Sequence, residues 1–310
     1  DDILGGRATP DQIAALAVAL RMRGETPEEI ASAARVMRQR CDRVDLHLPS
    51  PLMDTCGTGG DGAGSFNVST TAAIVVAAAG VAVAKHGNRA VSSRSGSADL
   101  LEALGVRIEL SKGEVAECIQ EVGIGFFFAP AFHGALKHAA PVRRRLGIRT
   151  FFNLLGPLAN PAAATHQLLG VYDPGRVRQM AEVLLLLGTE GAWVVHGEGG
   201  LDEVSPYGPT RVAALRDGEI TEFSVRPEDF GMDPVPAGSI GGGDAEENAG
   251  IARAVLEGTP SPYRDAVVIN AAAALMVAGR ATDMPAARAM AEGVIDDGRA
   301  RSTLESWSRF

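Results

Sequence analysis

The first residues that could do chemistry are glycines spaced as in nucleotide-binding turns. Gly57, Gly59 and Gly62 form the pattern G-x-G-x-x-G in the stretch "DTCGTGGDGAGSFNVSTTAAIVV". Such a turn lets the backbone approach a phosphate closely. A dinucleotide fold also needs an acidic residue about 20 positions further on, where it binds the ribose hydroxyls. Lys85 and His86 stand there instead, so the chain is not predicted to bind a dinucleotide.

The same turn carries a negative charge. Ala63 and Gly64 replace the lysine and the hydroxyl residue of a P-loop, so that motif is excluded. Asp61 lies inside the turn, and a carboxylate about 4 Å from a phosphate would cost roughly 4 kcal/mol at an effective dielectric constant of about 20. A divalent cation, or contact of the turn with sugar hydroxyls or amides, removes this conflict. A tight turn without a ligand is the alternative.

A helix is predicted directly after the turn. Asn67, Ser69 and Thr70 would lie at its N-terminus, where free amides and the positive end of the helix dipole bind anions. Ordinary helix capping is the alternative for each of them taken singly.

A second polar cluster begins at the last residue of the strand-like run "VAVAK". It contains Lys85, His86, Asn88, Arg89, Ser92, Ser93 and Ser95. At the carboxyl end of a neighbouring strand, these cations and hydroxyls would form the second wall of an anion site. A solvated basic loop is the alternative.

Two adjacent carboxylates, Asp202 and Glu203, follow another strand-like run. Oxygen ligands without Cys or His partners favour Mg²⁺, which is held by one or two carboxylates together with substrate phosphates. A solvated acidic turn is the alternative for this pair taken alone.

Five cations crowd the segment "HGALKHAAPVRRRLGIRTFFN". They are Lys137, Arg143, Arg144, Arg145 and Arg149. One guanidinium aimed inward would bind a carboxylate through two hydrogen bonds. A nucleic-acid patch is conceivable, but the formal net charge of -9 argues against it.

The elements that must position these residues alternate in type. Short β-like runs, "LMDTC", "VAVAK", "GIGFFFAP", "HQLLGVY" and "AWVVHG", are each followed by turns and helices. This alternation predicts a largely parallel sheet with crossover helices. Residues 206–244 are predicted to be an irregular or antiparallel excursion, and helices follow them to the end.

The N-terminal part has helical spacing instead. Pro10 to Arg40 predicts a helical pair, and "AFHGALKHAAPVRRRLG" predicts a second helical piece that packs back on it. We therefore expect an α/β protein with a small helical domain at 1–48, completed by about 130–150. The larger α/β domain, with a central mostly parallel sheet, takes 49–129 and 151–310, and ligands would lie between the two.

Composition excludes several classes of protein. The 310 residues are 46% hydrophobic, which suits a folded core. The longest weakly polar run is too short to cross a bilayer. Cys41, Cys56 and Cys118 are too few for a disulfide framework, so the cytoplasm is the expected compartment. The first residues resemble the tail of a helix whose beginning is absent, so a trimmed N-terminus is expected.

Taken together, these segments resemble the anthranilate phosphoribosyltransferases of tryptophan biosynthesis, whose fold is shared with the pyrimidine nucleoside phosphorylases. The segments that carry the resemblance are "GTGGD" at 57–61, "NVST" at 67–70, "KHGNRAVSS" at 85–93, "GSADLLEALG", "FFNLLGPLANP" and "LDE" at 201–203. The nucleoside phosphorylases lack the "KHGNR" and "FFNLLGPL" motifs, so the transferase is the preferred interpretation.

The resemblance implies transfer of a phosphoribosyl group from phosphoribosyl pyrophosphate to anthranilate, with Mg²⁺. The residues implied in binding phosphoribosyl pyrophosphate are Gly57, Gly60, Asp61, Ser65, Asn67, Val68, Ser69, Thr70, Lys85, His86, Gly87, Asn88, Arg89, Ala90, Val91, Ser92, Ser93 and Ser97. Gly57, Asn88 and Arg143 are implied in binding anthranilate. Ser69, Asp202 and Glu203 are implied as Mg²⁺ ligands, and no residue is implied as a general acid, base or nucleophile.

The resemblance also implies a homodimer through the helical domain, and no nucleic-acid or membrane partner. Two other functions remain open at this point. One is a pyrimidine nucleoside phosphorylase. The other is a non-catalytic relative that binds nucleic acid through the helix at 143–149.

Overall fold

A single sheet with helices on both faces forms the body of the protein. The computed structural model describes residues 1–46, 48, 51–60, 62–90 and 94–310. Within these residues the sheet has seven strands in the order β3-β2-β1-β4-β5-β6-β7. They are β1 (Leu52–Gly57), β2 (Ala82–Gly87), β3 (Ile124–Phe128), β4 (His166–Gly170), β5 (Gly191–Gly197), β6 (Thr210–Arg216) and β7 (Glu219–Val225).

The first five strands are parallel to one another, and β6 and β7 are added antiparallel at one edge. This confirms the predicted mostly parallel sheet, the five strand positions and the antiparallel excursion after residue 206. Parallel strands place their carboxyl ends at one edge of the sheet, and that is where ligands bind in open α/β folds.

The helices connect and cover these strands. In chain order they are α1 (Pro10–Arg23), α2 (Pro27–Gln39), α3 (Val68–Ala78), α4 (Ser97–Ala103), α5 (Lys112–Val122), α6 (Ala129–Phe132), α7 (Ala140–Leu146), α8 (Phe152–Leu155), α9 (Val177–Leu186), α10 (Ala245–Leu256), α11 (Pro262–Val277), α12 (Met284–Asp296) and α13 (Arg299–Arg309). The N-terminal pair begins at Thr9 and Thr26, each of which caps its helix reciprocally with a residue three positions on.

Side chains alternate between two hydrophobic cores along the central strands. Leu168 and Trp193 pack on the side of α3 and α10–α13, whereas Leu169 and Val194 pack on the side of α9. This alternation is the period of two that a strand imposes on its side chains. The sheet is therefore buried on both faces.

The N-terminal helices extend the second core. Ile13 and Ile30 belong to it together with Val142 of α7 and Leu184 of α9. The helical piece at α7 thus packs back on α1, as the sequence predicted. The exact division into domains at 48, 129 and 150 remains a prediction. In the described part of the chain, no helix is long and apolar enough to cross a membrane.

Candidate active site

Two glycines at the carboxyl ends of adjacent strands make room for an acidic segment. Gly57 ends β1 and Gly170 ends β4, and they are paired directly in the sheet register. A β-carbon built on Gly57 would lie 2.3 Å from Oδ2 of Asp202, and one on Gly170 would lie 1.6 Å from the Asp202 carbonyl oxygen. Only glycine at both positions lets the segment at Asp202 cross the strand ends at this distance.

The Asp202 carboxylate is tied to the glycine turn. The backbone N–H of Gly59 donates to its Oδ2 over 2.8 Å. Glu203 follows, and its charge acts on the ammonium of Lys85. Both acidic side chains are partly buried. The predicted acidic pair therefore lies against the turn at 57–60, as a shared site requires.

The helix after the turn begins with Val68 and has no side-chain cap. Asn67 is at the N-cap position, but its side chain makes no hydrogen bond to the helix. Instead its Nδ2 donates to the Ser95 carbonyl over 3.2 Å, and its Oδ1 accepts from Asn248 over 2.9 Å. The N-terminal turn of α3 is thus left without the usual side-chain partner for its amides.

Below the strand ends lies a buried pair of opposite charges. Lys85 is 2% exposed and donates from Nζ to the Thr55 carbonyl over 2.6 Å. Asp54 is fully buried and accepts from Asn160 Nδ2 over 2.8 Å and from the His86 backbone N–H. Burial lowers the pKa of Lys85 and raises the pKa of Asp54, while their mutual attraction opposes both shifts.

This position differs from the expected polar loop. Lys85, His86 and Gly87 are the last residues of β2, so the first two side chains are buried in the body of the protein. The Lys85 ammonium lies against the Thr55 carbonyl of β1, and the charge of the buried Asp54 opposes its own.

The loop after β2 folds closely on the start of α4. The Ser97 hydroxyl accepts from the Asn88 N–H over 3.1 Å. The carboxylate of Asp99 accepts from the N–H groups of Ala90 and Gly96. The Arg89 guanidinium pairs with Asp99 and Glu102. Asn88 is exposed at the tip of this arrangement.

Arg143 differs from the other cations of its segment because it is partly buried. Its guanidinium carbon lies 5.6 Å from the centre of the Phe152 ring, and burial lowers its pKa. We find no carboxylate partner for it among the described residues. Lys137, Arg144 and Arg145 are exposed. Of these four cations, Arg143 is the one that is partly buried, and its role in binding an anionic ligand stays a prediction.

Arg149 is held against the glycine turn. It donates from Nη2 to the Gly60 carbonyl, and its guanidinium carbon lies 4.0 Å from the centre of the Tyr172 ring. The segment after α7 therefore contacts the glycine turn directly through Arg149.

Two buried histidines stand between the sheet and the helical segment. The His86 and His133 rings are 5.0 Å apart, edge to face. Nδ1 of His86 lies 3.1 Å from the Gly156 carbonyl, which can only accept, so this nitrogen carries the proton. Both Nε2 atoms are buried without a hydrogen-bond partner in the described structure. Burial lowers the pKa of His86 to about 3 and that of His133 to about 4.

These histidines make stability depend on pH. Their folded pKa values lie below the unfolded value of about 6.5, so the unfolded chain takes up protons first as the pH falls. From about pH 7.5 to about pH 5, each should remove about 2 kcal/mol from the free energy of unfolding. For His133→Gln, urea unfolding at the two pH values should show a decrease in the free energy of unfolding that is about 2 kcal/mol smaller than the decrease in the wild type. The exposed His138→Gln is the control, and equal pH dependence of both variants and the wild type would contradict the prediction.

For several residues, the predicted role in ligand binding remains a prediction. Asp61, Val91, Ser92 and Ser93 lie outside the described residues. Among those described, Ser65 pairs with Gly241 in an isolated bridge, Val68 is buried, and Thr70 is in the first turn of α3. The residues that sequence reasoning missed are Asp54, His133, Asn160, Gly170 and Asn248. Their partners are remote in sequence, and no local motif marks them.

The fold and this site define a glycosyl transferase. The helical-bundle domain of the glycosyl transferase family matches residues 1–41, and its a/b domain matches residues 49–301. The anthranilate phosphoribosyltransferase of Symbiobacterium thermophilum is 54% identical over 309 residues, covering 99% of this chain and 90% of its own length.

Solved structures show the same relationship. The crystal structure of anthranilate phosphoribosyltransferase from Thermus thermophilus has a TM-score of 0.94 at 47% identity, covering 99% of this chain and 92% of that one. The Saccharomyces cerevisiae enzyme in complex with PRPP and Mg has a TM-score of 0.88 at 32% identity, covering 97% of this chain and 85% of that one. The chain belongs to the family of anthranilate phosphoribosyltransferases.

Proposed function

We propose that the protein transfers the phosphoribosyl group of phosphoribosyl pyrophosphate to the amine of anthranilate. The products are N-(5-phosphoribosyl)anthranilate and pyrophosphate, and the step belongs to tryptophan biosynthesis. The observation that carries the proposal is the meeting of the glycine turn, the Asp202 carboxylate and the uncapped start of α3 at one edge of the sheet.

In this proposal, phosphoribosyl pyrophosphate lies across the turn at 57–61, the helix start at 67–70 and the loop at 85–93. Amides at the start of α3 offer positive charge to its phosphates, and the buried Lys85 acts on them only from a distance. Arg143 binds the carboxylate of anthranilate, with Gly57 and Asn88 beside the ring. The half-buried guanidinium suits this role because a carboxylate would compensate its lost hydration.

The residues present also fit Mg²⁺. Asp202, Glu203 and Ser69 offer only oxygen ligands. In the described part of the chain, no group of three or more His, Cys, Asp or Glu could hold a metal ion. A site of two carboxylates completed by substrate phosphates is the arrangement that Mg²⁺ favours. When bound, Mg²⁺ supplies positive charge that stabilises the departing pyrophosphate.

The reaction forms a bond between the anthranilate nitrogen and C1 of the ribose and breaks the bond from C1 to the pyrophosphate oxygen. The aromatic amine is already uncharged, so no side chain is needed to activate it, and after attack its proton passes to water or to the departing pyrophosphate. The protein's part is to align the two substrates and to stabilise charge. Closure of the helical segment on the sheet would bring Arg143 to the phosphoribosyl site.

The direct test follows the loss of anthranilate fluorescence after phosphoribosyl pyrophosphate and Mg²⁺ are added. We expect the fluorescence to be lost only when the protein, phosphoribosyl pyrophosphate and Mg²⁺ are all present. Consumption of thymidine or uridine with phosphate, without loss of anthranilate, would instead support a nucleoside phosphorylase. A homodimer through the helical domain and a cytoplasmic location are further predictions of the sequence, which sedimentation and cell fractionation test.

A further inference from the structure

The side chain of Asn67 is turned away from the helix that it begins. Asparagine at the N-cap usually accepts a hydrogen bond from the N–H of the second or third helical residue. For α3 these residues are Ser69 and Thr70. The structure shows no such bond: Asn67 has ψ 66° rather than an extended backbone, and its oxygen accepts instead from Asn248 over 2.9 Å and from the Ser95 hydroxyl over 3.3 Å.

Asn248 is placed to hold this orientation. It belongs to α10 and is 2% exposed. Its Oδ1 accepts from the Gly243 N–H over 2.7 Å, which fixes the amide and leaves its Nδ2 to donate to Asn67. Asn67 and Asn248 are 181 residues apart in the sequence, so this contact depends on the fold rather than on the local chain.

Together with the two bonds between Asn67 and Ser95, this contact affects what can bind at the start of α3. If the Asn67 oxygen were released and the residue took the extended backbone of a capping residue in place of ψ 66°, it could accept from Ser69 or Thr70, and the helix would cap itself. A self-capped helix has fewer N–H groups for an anion. The Asn248 amide and an incoming phosphate therefore both favour the helix whose N-terminal N–H groups are not capped by Asn67.

We propose that Asn248 is a positioning residue for phosphoribosyl pyrophosphate. It holds the Asn67 side chain away from the N-terminus of α3, so that the backbone N–H groups of Ser69 and Thr70 remain open to a phosphate. This inference rests on the proposed function and names a residue that acts through Asn67 without touching the substrate.

The test compares Asn248→Ala with a control in the same helix. In Asn248→Ala we expect the KM for phosphoribosyl pyrophosphate to rise at least about tenfold, since a hydrogen bond to a charged group is lost. The KM for anthranilate should change less than about twofold, within ordinary additivity error. Asp244→Ala removes the N-cap of α10 without touching Asn67, so it lowers thermal stability and leaves both KM values unchanged.

A double variant separates positioning from general damage. If Asn248 acts through Asn67, Asn248→Ala causes no further rise of that KM in an Asn67→Ala background. An equal rise in both backgrounds, or a rise in Asp244→Ala as large as in Asn248→Ala, would overturn the inference.

Direct binding makes this test independent of turnover. Calorimetric titration with pyrophosphate and Mg²⁺ should show the same loss of affinity in Asn248→Ala. If the wild-type protein bound pyrophosphate but did not consume anthranilate, the proposed function would fail while this titration still tested Asn248. If the wild type were active and Asn248→Ala bound pyrophosphate normally, the inference alone would fail.

Discussion

Replacing Gly57 by alanine is expected to lower kcat/KM at least about 100-fold, equivalent to about 2.7 kcal/mol of transition-state stabilisation. A methyl group on Gly57 would lie 2.3 Å from Oδ2 of Asp202, so the carboxylate must move away from the Gly59 N–H. Backbone strain is not the cause, because Gly57 does not have a positive φ. We expect the Mg²⁺ concentration needed for half-maximal activity to rise as well, which a titration of initial rates measures.

Two further variants test whether the displaced Asp202 carboxylate causes the loss of activity in Gly57→Ala. Gly113→Ala adds the same methyl group where no atom lies within 4 Å, in the first turn of α5, and should leave activity unchanged. Asp202→Ala should reproduce the shifted Mg²⁺ dependence of Gly57→Ala. If Gly57→Ala kept the wild-type rate and Mg²⁺ dependence, the position of the Asp202 carboxylate would not matter for catalysis.

The second large effect is expected at Arg143. Arg143→Ala should raise the KM for anthranilate about 30-fold, since a charge-assisted hydrogen bond to a carboxylate contributes about 2 kcal/mol. The KM for phosphoribosyl pyrophosphate should stay within about threefold, because its phosphates bind elsewhere in the proposed site. Steady-state kinetics with each substrate varied in turn measures both constants.

The neighbouring Arg144 provides a matched control. It has the same charge and lies on the same helix, but it is exposed, so Arg144→Ala should leave both KM values near the wild type. Arg143→Lys should restore part of the loss, since an ammonium keeps the charge but not the paired donors. If Arg143→Ala raised the KM values for both substrates equally, Arg143 would not be the residue that binds the anthranilate carboxylate.

The strands and the order of the polar clusters could be predicted from the sequence. The mostly apolar run "AWVVHG" became β5, because strands buried on both faces are rich in apolar residues. The run "LMDTC" became β1 although it contains the polar Asp54 and Thr55. The clusters at Gly57, Lys85 and Asp202 came together because parallel strands end at one edge. Local pattern and topology were sufficient for this part.

Long-range contacts could not be predicted. The sequence around Asn248 does not indicate that it contacts Asn67. The sequence around Gly170 does not indicate that the Asp202 backbone crosses it. Lys85 was expected in a polar connection at the end of a strand, whereas the ladder continues through it to Gly87 and buries it. Sequence periodicity predicts which face a residue occupies but not which distant side chain it meets there.

The link between Gly59 and Asp202 has a consequence for folding. These residues are 143 positions apart, and closing a loop of that length costs about 4 kcal/mol of chain entropy. During synthesis the glycine turn emerges long before its carboxylate partner. We expect the contact that holds the turn to form only after Asp202 has been synthesised, and contacts of such high sequence separation slow folding. Nascent chains that end before residue 202 carry most of the conspicuous motifs of this sequence, yet they cannot assemble the site that those motifs form.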